Sequence, residues 1–193
     1  MSSLISPELR VAYIGAGLEN LGRTLGGTTA QELGEADVAI FAVSAISGID
    51  AVGQSSWAQA RELYIPSIVA ITELSGSEID FDDMAAIAGK TLDPVVTPFL
   101  VLHDDAGAPA ALIELDTLKN ITFAEGLRTI TESDPEHKLL VFEFRKEYLE
   151  ALEAAGEGAF GAALLFPALP YIPELGIGVA EIAGYLRQLT ATN

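Results

Sequence analysis

Two uninterrupted apolar segments restrict the fold more than any other feature of this sequence. They are VAIFAV, residues 38–43, and the segment SIVAI, residues 67–71, which follows Pro66. Both are apolar at nearly every position, so each would be buried on both faces of a sheet. Strands of this kind are typical of parallel sheets that are covered by helices on both sides. The sequence therefore predicts the centre of an α/β fold.

Helix and strand patterns alternate around these two segments. Residues 47–65 favour a turn and then a helix, with Val52, Trp57, Ala60 and Leu63 on one face. Residues 76–90 favour a second helix, residues 10–16 and 162–170 two more strands, and residues 179–189 a last helix. This alternation predicts a three-layer α/β fold with a mainly parallel sheet.

The pattern changes after Pro94. Residues 95–116 favour an antiparallel hairpin around the turn DDAGAP, residues 104–109, and residues 136–158 favour a helix that ends at two glycines. We therefore expect one domain over residues 1–193, with an inserted α+β subdomain over residues 95–158.

Composition excludes several functions. The formal net charge is −18, from 28 acidic and 10 basic residues, and such a surface repels a nucleic-acid backbone. There is no cysteine, and the two histidines, His103 and His137, are far apart in the sequence. We expect no thiol chemistry, no metal site and no face for direct nucleic-acid binding.

The hydrophobic content points to a partner. Mean hydropathy is +0.36 and half of the residues are hydrophobic, yet no apolar run reaches the roughly 20 residues of a membrane span. The first ten residues, MSSLISPELR, lack the pattern of a signal peptide. The expectation is a cytoplasmic protein whose surplus apolar surface meets a protein partner or a second copy.

The segment VAYIGAGLENLGRT, Val11–Thr24, runs from a predicted strand into glycines. A dinucleotide fingerprint requires a third glycine where Asn20 stands, and an acid after the next strand. Asp37 precedes that strand instead. The fingerprint of a dinucleotide site is therefore incomplete.

A phosphate-binding loop fits the same segment better. The pattern G-x-x-x-x-G-K-[ST] matches Gly17, Gly22 and Thr24, with Arg23 in the place of lysine. These four residues are the candidate nucleotide-binding residues. Arginine is bulkier than lysine, and Glu19 inside the loop would repel phosphate. A plain strand–turn–helix corner that binds nothing is the alternative.

Residues 35–123 resemble the GTPase domain of elongation factor G, and especially elongation-factor-G-like proteins. The resemblance depends on an ordered series of features: SAISGID at 44–50, WAQA at 57–60, EIDFDD at 78–83 and the hairpin that follows Pro94. Residues 166–189 resemble the last strand, guanine loop and final helix of that domain. The resemblance implies a P-loop-type G domain with an inserted G′ subdomain, GTP or GDP as the ligand, and a link to the ribosome.

The nucleotide motifs that the resemblance implies are altered. The N-K-x-D positions are Thr72, Glu73, Leu74 and Ser75, and the S-A loop is replaced by Ile172–Pro173. Between Thr24 and Glu35 there is no room for the switch regions and the D-x-x-G strand that holds magnesium. Either Val11–Thr24 is a vestigial P-loop followed by a deletion, or it is the D-x-x-G strand with Gly15 in place of aspartate.

Two functional hypotheses follow. The first is a degenerate G domain that acts as a non-hydrolysing scaffold or interaction domain, with no catalytic residue and no resident cofactor. The second is a diverged nucleotide-binding protein that uses Gly17–Thr24 with Arg23 as a surrogate for lysine. The acidic groups Asp80, Asp82 and Asp83, and Asp104 and Asp105 beside His103, fit a helix start and a turn better than a site.

Overall fold

The computed structural model describes residues 3–124 and 126–190. Residues 1–2, 125 and 191–193, which the predicted 1–193 domain includes, lie outside the described residues.

Strands and helices alternate along the described chain. The strands are β1 (Arg10–Ile14), β2 (Thr28–Thr29), β3 (Val38–Ser44), β4 (Ser67–Thr72), β5 (Phe99–His103), β6 (Pro109–Glu114), β7 (Lys119–Ala124), β8 (Leu127–Glu132) and β9 (Ala168–Pro170). The α-helices are α1 (Glu19–Leu25), α2 (Ala51–Glu62), α3 (Phe81–Thr91), α4 (Pro135–Leu140), α5 (Phe142–Ala155) and α6 (Val179–Thr190). Short 3₁₀ turns cover Leu33–Glu35 and Pro173–Leu175.

A five-stranded parallel sheet forms the centre of the fold. Its order is β2-β1-β3-β4-β9, and every neighbouring pair is parallel. Strands β3 and β4 are buried along their whole length and pair from Ala39 with Ser67 to Ser44 with Thr72. The predicted α/β fold and mainly parallel sheet are confirmed. The two apolar segments form β3 and β4, and these strands pair in parallel.

Helices cover both faces of this sheet. The chain moves outward from β1 to β2 through α1, then in the opposite direction from β3 to β4 and on to β9. Because parallel connections are right-handed, these opposite directions put α1 on one face and α2 and α3 on the other. Helix α6 packs against α1.

A second, antiparallel sheet lies between α3 and β9 in the sequence. Its order is β5-β6-β7-β8, and the predicted hairpin is its first pair. Strands β7 and β8 were not predicted. The single helix predicted over 136–158 is instead two helices, α4 and α5, which are separated by Val141.

Burial differs from the prediction on α2. Trp57 and Ala60 are buried, as predicted, whereas Val52 and Leu63 are exposed. Val52 lies in the first turn of α2 and Leu63 follows its last residue, so both lie at the ends of the helix. A helix end extends beyond the sheet that its middle covers.

An ion pair between a buried carboxylate and a partly exposed guanidinium joins α6 to the antiparallel sheet. Glu181 of α6 has a fully buried side chain, and its Oε1 accepts a hydrogen bond from Nε of Arg128 in β8 at 3.1 Å, with Nη2 of the same guanidinium 3.0 Å away. The other oxygen of Glu181 accepts the backbone N–H of Gly178 at 3.1 Å. The guanidinium and the amide thus converge on one carboxylate, which satisfies its charge inside the fold.

An aromatic cluster fixes α2 against the segment that leads into β9. The Trp57 ring packs edge-on against Phe41 and Phe166, with ring centroids 5.0 and 5.2 Å apart. The Trp57 Nε1–H donates to Asp93 Oδ2 at 2.7 Å, and Arg61, which lies over the Phe166 ring, approaches the same oxygen at 3.4 Å. Asp93 therefore contacts both polar groups that α2 directs toward it.

We expect Asp93→Ala to lower the free energy of unfolding by about 1–3 kcal/mol, because it leaves the buried Trp57 N–H without an acceptor. Urea unfolding followed by far-UV circular dichroism measures this loss. Asp105→Ala, at the exposed tip of the β5–β6 hairpin, is the matched control and should cost much less. Equal losses for both variants would contradict the role given to Asp93.

Candidate functional site

The candidate site lies at the carboxyl ends of the parallel strands. The strand order reverses between β1 and β3, because the chain leaves β1 toward β2 and returns to the other side of β1. In open α/β sheets, ligands bind in the crevice at such a switch point. The turn from Gly15 to Leu18, between β1 and α1, stands at this position.

This turn packs directly on the neighbouring strands. Gly15 and Gly17 have left-handed φ values of +98° and +90°. A Cβ at Gly15 would lie 2.9 Å from the Cβ of Ala42 in β3, and a Cβ at Gly17 would lie 3.8 Å from the Thr72 side chain in β4. The turn therefore crosses the end of β3 at van der Waals distance.

The four candidate nucleotide-binding residues do not share one loop. Gly22, Arg23 and Thr24 lie inside α1, and only Gly17 lies in the β1–α1 turn. A Cβ at Gly22 would lie 3.2 Å from the Tyr13 ring. The Arg23 guanidinium donates to the Asn20 side chain, and the Thr24 hydroxyl donates to the Asn20 carbonyl. The loop that the glycine spacing predicted is replaced by helix.

A carboxylate of the chain occupies the start of α1. Glu19 Oε1 accepts the backbone N–H of Gly17 at 3.3 Å. Hydrogen bonds from the N–H groups of Glu19 and Gly17 hold the pKa of Glu19 below its usual range. Backbone N–H groups at a helix start are the groups that bind phosphate in nucleotide sites. Here they face an acidic side chain of the same chain.

The loop after β4 is tied to the end of β3. The Ser44 hydroxyl donates to the Glu73 carboxylate and accepts N–H groups from Ile46 at 3.0 Å and Ser47 at 2.9 Å. Glu73 has a φ of +57°, which is unusual for a residue with a side chain. The sequence pointed to Glu73 as a candidate position but did not point to Ser44. Ser44 begins the SAISG segment, which could have indicated it. An acidic residue thus stands where the resemblance implies a lysine.

The loop after β9 places a carboxylate, that of Glu174, and the phenol ring of Tyr171 at this edge of the sheet. Tyr171 is buried, and this burial is the main cause that raises its pKa. The negative charges of Glu19 and Glu174 raise it further. Burial, with a smaller electrostatic contribution from Tyr171, raises the pKa of Tyr13 to about 12. At the implied S-A position, Ile172 precedes the 3₁₀ turn and Pro173 is its first residue. Glu19, Glu73 and Glu174 thus bring three carboxylates to this edge of the sheet.

The other two acidic groups that the sequence indicated lie at or near the β5–β6 hairpin. Asp80, Asp82 and Asp83 lie at the start of α3, and Asp80 Oδ1 lies 3.7 Å from Nε2 of His103. The sequence had treated these two groups separately. Over residues 3–124 and 126–190, no group of three or more acidic or histidine side chains is arranged to hold a metal ion. Among the helices of this same part of the chain, none has the length and hydropathy to cross a membrane.

Comparison with known proteins identifies a similar fold. No protein-family model matches the sequence. No curated protein matches it either. Among solved structures, the crystal structure of ttk003000868 from Thermus thermophilus is similar, with a TM-score of 0.72 and 27% sequence identity. The match covers 81% of this chain and 27% of that one, so the chain spans about a quarter of the length of the Thermus protein.

Two glycine variants separate backbone strain from packing in the β1–α1 turn. We expect Gly17→Ala to cost about 1–2 kcal/mol of stability, since alanine resists the left-handed conformation. Gly15→Ala should cost at least about 1 kcal/mol more, because its Cβ would also overlap Ala42. Paired urea titrations measure both losses, and a smaller loss for Gly15→Ala would contradict the close packing of the turn on β3.

The pKa of Tyr13 predicts a loss of stability in alkali. An unfolded tyrosine ionises near pH 10, whereas folded Tyr13 resists ionisation up to about 12. Because the neutral form is favoured in the folded state, the unfolding free energy falls as the pH rises from about 10 to about 12. The unfolding free energy of Tyr13→Phe should fall less steeply over this range. Urea unfolding midpoints of wild type and Tyr13→Phe from about pH 8 to about pH 12 measure this difference. If the midpoints of both proteins fall in parallel, Tyr13 does not cause the loss of stability.

Proposed function

We propose that the chain is a degenerate, elongation-factor-G-like G domain that acts as a non-hydrolysing scaffold or interaction domain. The observation that carries the proposal is the β1–α1 turn. This short turn, from Gly15 to Leu18, packs on β3 and β4, and its backbone N–H at Gly17 is held by Glu19. A turn of this kind leaves no cradle for a triphosphate.

The topology supports the family part of the proposal. A parallel sheet with an antiparallel sheet inserted before its last strand is the arrangement that the resemblance implies. Strand β1 lies at the switch point and is followed by a helix that packs on the last helix, α6. This arrangement favours descent of Val11–Thr24 from a P-loop over descent from a D-x-x-G strand.

The chemistry of the site supports the lack of hydrolysis. Phosphoryl transfer depends on positioning and on neutralising charge around the γ-phosphate. The candidate site instead collects Glu19, Glu73 and Glu174, while Arg23 donates to Asn20 from within α1. We propose that the chain has no catalytic residue. In this proposal GTP and GDP are ligands of the ancestral site only.

An interaction role accounts for the exposed apolar surface. Leu139, Leu140 and Phe142, where α4 meets α5, are 81%, 74% and 59% exposed. Apolar side chains clustered in this way are typical of protein contact surfaces. We propose a protein partner or self-association, with the ribosome as the partner that the family resemblance suggests, and a cytoplasmic location.

Titration with fluorescent GTP and GDP analogues in the presence of Mg²⁺ tests the proposal. We expect no saturable signal at micromolar nucleotide, where binding would correspond to about −8 kcal/mol. Arg23→Ala and wild type should give the same flat response. Micromolar binding would contradict the proposal, and its loss in Arg23→Ala would establish the alternative of a diverged nucleotide-binding protein.

A further inference from the structure

A cleft of ≈ 400 Å³ lies beside the β5–β6 hairpin, and its lining also includes Leu74 and Leu175 from the loops after β4 and β9. One wall is the loop between β4 and α3, and the other is the tip of the hairpin. The side chains that give it an apolar interior are Leu74, Ile79, Phe81, Val101 and Leu175. A cleft of this volume and lining can hold a large apolar side chain.

The lining of the cleft includes one carboxylate, and a second lies on the adjoining hairpin tip. Asp80 lines the cleft with a side chain that is 66% exposed, and Asp105 lies on the hairpin tip beside the lining residue Ala106. The carboxylate of Asp104 accepts the N–H groups of Ala106 and Ala108, both at 2.9 Å, and so shapes the tip. His103, the last residue of β5, is the one basic side chain in the described lining, which includes no lysine or arginine, and its Nε2 lies 3.7 Å from Asp80 Oδ1.

We propose that this cleft docks a protein segment that carries a large apolar side chain next to a lysine or arginine. The apolar walls would receive the apolar side chain as an anchor. Asp80 and Asp105 would face the cationic group, since complementary charge at the rim directs encounter and register. The inference rests on the proposed role as an interaction domain and names the chemistry of its partner.

These two carboxylates also distinguish among other occupants. A nucleotide would bring phosphates toward Asp80 and Asp105, and an acidic peptide would meet the same repulsion. A basic segment without an apolar side chain would leave the walls of the cleft unfilled. The proposal therefore requires both the apolar and the cationic group, and each requirement is testable by itself.

Fluorescence anisotropy with labelled pools of short synthetic peptides tests the proposal. Each pool fixes one adjacent pair of residues: leucine–lysine, phenylalanine–arginine, leucine–glutamate or serine–lysine. We expect the leucine–lysine and phenylalanine–arginine pools to bind at least about fivefold more tightly than the other two, with affinity that falls as salt rises. Equal binding of all pools, or binding of none, would overturn the proposal.

Variants of the full chain locate the binding. The double variant Asp80→Asn with Asp105→Asn should weaken the preferred pools at least about fivefold, since it removes the charge at the mouth. Ala106→Trp fills the cleft from an exposed position and should weaken them further. The control, Glu153→Gln with Glu157→Gln, removes the same charge at exposed positions of and after α5 and should leave binding unchanged.

These outcomes separate the inference from the proposed function. Peptide binding that is insensitive to the cleft variants would overturn the inference and leave the nucleotide result as it stands. Circular dichroism confirms that each variant is folded, and the asparagine variants provide the test if Ala106→Trp is not. Nucleotide binding, in contrast, would contradict the scaffold proposal whichever peptides bind.

Discussion

Burial of β3 and β4 on both faces is the constraint on which the rest of the structure depends. The side chains of these strands are removed from water, so each face of the sheet requires a cover of helices. The helices that connect parallel strands supply this cover, and parallel strands bring the loops that follow them to one edge of the sheet. The turn after β1, the Ser44–Glu73 contact and Tyr171 lie at one edge because the strands that carry them run in the same direction.

The sequence was sufficient for the parts of the fold that depend on local pattern. Strands β3 and β4, helices α2, α3 and α6, and the β5–β6 hairpin follow from apolar periodicity and turn residues. Strand β8 carries no such signal, because it is exposed throughout and depends on its pairing with β7, where Ile121 is the one buried residue. The break at Val141 was also hidden, since an apolar residue fits a continuous helical stripe.

The candidate site shows where motif spacing stops being informative. Gly17, Gly22, Arg23 and Thr24 have the spacing of a loop, but helix α1 begins at Glu19 and includes three of them. Spacing along a chain fixes no backbone conformation. The contacts of Gly15 with Ala42, and of Ser44 with Glu73, join residues far apart in sequence and needed the folded structure. The prediction from sequence that Glu19 would repel phosphate stays a prediction, and the structure places its carboxylate on the Gly17 N–H.

The Glu19 carboxylate has a further meaning for any anion that approaches the start of α1. A group attached two residues from the amide that it binds acts as an intramolecular ligand, and tethering gives it a high effective concentration. An incoming phosphate would have to displace this resident competitor before it could form its first hydrogen bond. The first residue of the helix thus supplies a tethered carboxylate that would compete with an anion for the Gly17 N–H.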